Sequence, residues 1–203
     1  MVVLVVLIAC ENQTTPVASP SPSPSPHTAP TAAILQSGDV PATVNACPGS
    51  GPFDVYLAVL ESSNSKLATQ LGSQWDDLLS HGASRGAIAV YAGDPTACKV
   101  ELGATTTVKA VTSIVIQFED AGQADRAWQS GIFGLIPPSP GELLPGLVRG
   151  PGTGLGLSSF TYDRRSVRLA CWRRSVYVAL VAVSNFDLTT FQAATAAIDP
   201  RLN

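Results

Sequence analysis

Apolar positions along this chain fall into three regimes. From Val2 to Ile8 they are unbroken, from Glu11 to Ala33 they are sparse among Ser, Thr and Pro, and from Ile34 onward they recur at helical or strand spacing. In the third regime, Lys66 to Ser80 places Leu67, Leu71, Trp75 and Leu78 on one stripe, which predicts a helix stopped at His81-Gly82. Phe53 to Leu60, after Pro52, predicts a shorter helix. Ala87 to Tyr91 reads as a strand closed by Gly93-Asp94-Pro95, and Cys98 to Leu102 as a second extended piece. Val108 to Phe118 is the strongest strand. Its apolar residues on both parities predict a central position covered on both faces.

Asp120 then reads as a helix N-cap, with Gln123 placed for a capping box and Ala124, Ala127 and Trp128 on the buried face. Three strands are expected later: Leu157 to Tyr162, Ser166 to Trp172 and Val176 to Val183, joined by turns at Asp163-Arg164-Arg165 and Arg173-Arg174-Ser175. Asp187 caps a last helix that presents Leu188, Phe191, Thr195 and Ile198, and Pro200 ends it. The order strand, Asp cap, short helix occurs twice, which suggests two similar β-α halves. The fold class expected is α+β: an antiparallel β-sheet with helices packed on it, in one domain from Ile34 to Asn203.

The first two regimes read as an address. Seven apolar residues are too few to span a bilayer, which takes about 20. A short apolar run before small residues and a cut site is instead the end of a signal peptide. Leu7-Ile8-Ala9-Cys10 resembles the lipobox of bacterial lipoproteins. That resemblance implies cleavage before Cys10, a diacylglyceryl thioether on its thiol and an outward-facing, lipid-anchored product. Two or more acyl chains anchor stably at about 0.8 kcal/mol per buried methylene. No Lys or Arg precedes Cys10, so the true signal peptide is expected to start further upstream. Glu11 to Ala33, with its Ser-Pro repeat from Ser19 to Pro26, reads as an extended tether reaching on the order of 70 Å. His27 falls within it.

Composition narrows the domain's business. Net charge is -3 and no basic stripe occurs, which argues against nucleic acid. Beyond Cys10 there are three cysteines: Cys47, Cys98 and Cys171. Cys171 alternates with Val167 and Leu169, a core thiol pattern. Cys47 and Cys98 lie beside turn residues, so the disulfide expected in an oxidising compartment joins Cys47 to Cys98.

Candidate chemistry is thin. His81 is the domain's only histidine and sits at a predicted helix end. Asp76-Asp77 and Glu119-Asp120 are adjacent pairs whose side chains diverge by about 100° on a helix. Gly152, Gly154 and Gly156 precede a strand instead of the helix a dinucleotide loop requires. The arginine pairs at 164–165 and 173–174 fall at opposite ends of one strand. No metal site and no cofactor is expected. The Pro/Gly-dense stretch Gly134 to Gly156 is too long for an idle connection. It is the candidate binding loop, with Trp128, Leu143, Leu144, Leu147 and Arg149.

The C-terminal third, ending in Asp199-Pro200-Arg201-Leu202, resembles the extracytoplasmic sensor-type domains of actinobacterial lipoproteins and receptor kinases. The function expected is a non-enzymatic ligand-binding or sensor-like domain held to the membrane by its N-terminal lipid. Its partner is a small ligand, or, in a structural lipoprotein, an envelope protein. An envelope hydrolase is the least expected.

Overall fold

The computed structural model of the chain describes residues 27–203. The lipobox-like stretch with Cys10, and most of the tether, lie outside the described residues.

Among the described residues eight strands form one antiparallel sheet: β1 (Asn45–Ala46), β2 (Gly51–Pro52), β3 (Ala83–Ala92), β4 (Ala110–Phe118), β5 (Leu147–Arg149), β6 (Ser159–Asp163), β7 (Val167–Arg174) and β8 (Tyr177–Ser184). Their order is β1-β3-β4-β8-β7-β6-β5, with β2 also paired to β3. The helices are α1 (Pro30–Ala33), α2 (Phe53–Glu61), α3 (Ser65–Ser80), α4 (Ala121–Ser130) and α5 (Leu188–Ile198). The chain is thus an α+β domain, as its pattern predicts.

Strand alternation divides the core in two. On one face Ile88, Val90, Ile114, Ile116, Val178 and Leu180 pack beneath α2, α3 and α4. On the other, Val111, Val115, Trp172, Tyr177 and Val181 pack beneath α1 and α5. Every residue of β8, and all of β4 except Gln117, is buried, because both strands are covered on both faces. Asp120 and Asp187 each cap as expected, accepting the N–H of Gln123 at 2.8 Å and of Thr190 at 2.9 Å.

Four expectations are corrected. Cys98 to Leu102 is not extended. Pro95–Lys99 and Glu101–Gly103 are 3-10 turns, started by Asp94, which accepts the Thr96 N–H, and broken from strand geometry by Leu102 at φ 52°. The tether's last residues belong to the domain, since Pro30–Ala33 is helical with Pro30 and Ala33 buried, and His27 stands edge-on to Tyr177 at 6.0 Å. The capping box at Asp120 is half formed, because the Gln123 amide donates to Glu119 Oε2 instead of reaching back. The two β-α units are not equivalent, because α4 covers one face of the sheet and α5 the other.

The C-terminal Asp-Pro-Arg-Leu tail is a clip. Asp199 accepts from the Trp172 indole at 3.0 Å and pairs with Arg174, while Leu202 is buried. Arg201 forks onto both Asp39 oxygens at 2.8 Å and onto the Ile34 carbonyl. The segment leading from α1 is thereby held against the sheet. The Arg201 guanidinium holds the Asp39 carboxyl below its ordinary value of 3.8. A depressed folded value stabilises above the unfolded one and is lost as pH falls through it. The stability gap between the native chain and Asp39→Asn, read from urea melts, is therefore full at neutral pH. It shrinks below pH 3.8 and vanishes once Asp39 is protonated in the fold.

Candidate functional site

The site is built at the free end of the sheet, on β5, β6 and the half-buried start of β7, Val167 to Leu169. Register places Leu147, Tyr162 and Leu169 directly across from one another, so one row of side chains rises from one face. Two residues along, Arg149, Phe160 and Cys171 form a parallel row on the same face. The chain from Leu135 to Leu144 arches over the first row. Together they enclose an apolar groove of ≈ 320 Å³ lined by Leu135, Ile136, Pro138, Leu144, Leu147, Phe160, Tyr162, Arg164, Val167 and Leu169.

Local chemistry holds the arch in place. The Leu147 N–H donates to the Leu144 carbonyl at 3.0 Å, and Arg149 reaches from the sheet to donate to the Ser139 carbonyl. The Ser139 N–H in turn donates to Glu142 Oε2 at 2.9 Å. Arg149 thus acts as a strut for the arch.

Gly146 lets β5 approach β6. Its φ is +81°, its carbonyl accepts the Asp163 N–H at 2.9 Å, and an added Cβ would stand 2.1 Å from the Asp163 carbonyl oxygen. Gly146→Ala therefore detaches β5 from β6 and opens the groove. The expected readout is loss of hydrogen-exchange protection at the Asp163 amide, with the amides of β4 and β8 still protected.

At the mouth of the groove, the Arg164 guanidinium lies over the Tyr162 ring, 4.8 Å from its centre, and donates from Nε to the phenol oxygen at 2.6 Å. Tyr162 lies near the end of β6 and Arg164 in the β6–β7 turn, which is closed by the Arg164 N–H donating to the Val167 carbonyl at 3.0 Å.

The structure sorts the residues singled out in the sequence. Leu144 and Leu147 line the groove. Arg149 braces the arch from the neighbouring row on the same face. Leu143 points away into solvent, 94% exposed. Trp128 belongs to the core, partly buried, with its indole N–H buried beside the Cys171 thiol. The stretch Gly134 to Gly156 is not uniformly irregular: it contains β5 and a 3-10 turn at Gly150–Thr153, and Leu155 seals the opposite face. Phe160, Tyr162, Arg164 and Leu169 were missed as site residues, since each reads simply as strand or turn. The one available signal was the alternation of Phe160 and Tyr162 in a strand following the loop.

Other candidates resolve as framework. His81 closes α3 at the surface, its Nδ1 2.8 Å from the Asp77 carbonyl. Asp76 and Asp77 are exposed on α3, and Asp120 is a cap. Arg173 pairs with Asp125 at 3.0 Å and Arg174 with Asp199. Gly152, Gly154 and Gly156 lead into β6. Cys171 is buried and free; burial pushes its thiol up to about 12, and the neighbouring Trp128 opposes this without reversing it. A thiol held so far from ionisation is no nucleophile at neutral pH. Among the described residues no group of three or more His, Cys, Asp and Glu side chains could hold a metal ion, and no helix is long and apolar enough to cross a membrane.

Cys47 and Cys98 form a disulfide, the bond of an oxidising, extracytoplasmic setting. The class defined by these features is a disulfide-bonded α+β domain with an apolar groove at its sheet edge. No family model, curated protein or solved structure matches the chain.

Proposed function

We propose that this is a lipid-anchored, outward-facing envelope protein whose α+β domain binds an apolar ligand without altering it. The observation that carries the reading is the groove between the Leu135–Leu144 arch and the row Leu147, Tyr162 and Leu169. It is concave, mostly apolar and furnished with a polar pair at one end, the usual composition of a small-molecule site. Its polar lining groups, Tyr162 and Arg164, can orient a ligand but do not amount to a nucleophile with its base. An envelope hydrolase is therefore the reading it supports least. The anchor rests on Leu7-Ile8-Ala9-Cys10, and the Cys47–Cys98 disulfide agrees with an exported domain. The sensor-type resemblance of the C-terminal third is compatible with ligand binding, although the tail that carries it serves here as a clip.

A second reading, an interaction lipoprotein docked on an envelope protein, is favoured by Ile136, Leu143 and Leu157, which are 68%, 94% and 83% exposed around the same segment. Mass spectrometry of the protein extracted from its own membranes tests both. Expected are a diacylglyceryl mass increment on Cys10 and, under native conditions, a retained small molecule. An unmodified Cys10 removes the anchor. A stoichiometric protein partner with an empty groove favours the second reading.

A further inference from the structure

Among the described residues that line the groove, Arg164 alone carries a charge. Among the described residues it forms no ion pair; the adjacent Asp163 is taken by Arg168 at 3.0 Å. Arg165, next in the turn, is likewise exposed and forms no ion pair there. An apolar trough therefore ends at a cation whose guanidinium stands over the Tyr162 ring, 4.8 Å from its centre, and which has no counter-charge among the described residues. Few ligands match both halves. A neutral apolar molecule leaves the guanidinium unanswered, and a small anion leaves the trough in water.

We infer that the groove takes a single-chain amphiphile, with an acyl chain along Leu144, Leu147 and Leu169 and an anionic head group on Arg164. The inference rests on the reading of the groove as a ligand site and adds the class of ligand. Size favours one chain over two: ≈ 320 Å³ lies at the small end of ligand cavities, which span about 300–1,000 Å³.

The topology bears on the source of the ligand. The tether enters the fold where the Tyr177 hydroxyl donates to the Thr28 carbonyl at 2.6 Å. That point is on the face bearing Trp172 and Val181 and at the end of the sheet where Arg174 pairs with Tyr177. The groove is on the other face, and Leu169 is about 17 Å back along β7 at ~3.3 Å per residue. The groove therefore does not adjoin the point where the tether enters the fold. A free, monomeric amphiphile fits this placement better than the anchoring bilayer does.

Calorimetric titration of the domain with octanoate, decanoate and dodecanoate below their micelle concentrations, alongside dodecyl maltoside as a neutral-head control, tests this. Affinity for the acids is expected to rise about fourfold per added methylene until the trough is full. Arg164→Gln weakens dodecanoate about tenfold and leaves the maltoside unchanged. Leu144→Asp, an exposed rim change, removes binding of both. If dodecanoate and the maltoside bind alike and Arg164→Gln alters neither, the head-group assignment is overturned while the groove remains a ligand site. If neither amphiphile binds at any chain length, the groove reading falls with it. Binding to anionic phospholipid vesicles without binding of free dodecanoate would show a bilayer contact and overturn the inference.

Discussion

Replacing Trp172 with alanine lowers the unfolding free energy by about 3–5 kcal/mol, measured from urea melts followed by far-ultraviolet circular dichroism. Trp172 is fully buried on β7, in the core shared with α5. Truncation removes the largest side chain of that layer and leaves a cavity the flanking strands cannot close. It also withdraws the indole N–H that donates to Asp199 at 3.0 Å. Asp199 keeps Arg174, whose Nε and Nη2 lie 2.8 and 2.6 Å from its oxygens, so the carboxylate stays paired. The loss is therefore mainly packing. Trp172→Phe, which keeps most of the ring volume but not the N–H, is expected to lose less than half as much. A phenylalanine variant as unstable as the alanine one would assign the effect to the Asp199 contact instead.

Opening the Cys47–Cys98 bond, as Cys47→Ala/Cys98→Ala, costs about 4 kcal/mol on the chain-entropy estimate for a loop of this length. The two residues are 51 apart, and the bond ties the strand-edge turn after β1 to the 3-10 turn after β3. Cys47 is buried, so alanine keeps an apolar contact there and the loss comes chiefly from the freed unfolded chain. Reductant should lower the urea midpoint of the native chain to that of the double variant and leave the variant itself unmoved. Cys171 does not confuse the comparison, because its thiol is buried and held un-ionised to about 12. A native chain indifferent to reductant would mean the bond contributes little to stability.

Both effects concern features differently visible in the sequence. The disulfide was legible because turn residues flank Cys47 and Cys98 while strand alternation claims Cys171. Trp172 was legible only as a strand residue; that it fills the layer under α5 follows from α5 folding back over β7 and β8. The groove was half legible. Length and Pro/Gly content pointed to the Gly134–Gly156 segment, and Leu144 and Leu147 do line it. Trp128 was misplaced because its apolar ring near the loop reads the same whether it faces the loop or the core. The strand β5 escaped notice because three residues between turns carry no periodicity.

What this sequence determined by itself was set by neighbours: the α3 stripe, the Asp120 and Asp187 caps, the two-faced burial of β4, and the α+β class. Such features depend on residues a turn or a pleat apart, so spacing alone specifies them. Tertiary structure alone decided which distant residues share a surface. Leu147, Tyr162 and Leu169 meet only through strand register, and Arg201 meets Asp39 across nearly the whole domain. Pairing of that kind is settled by the joint burial of many side chains, and no local pattern encodes it.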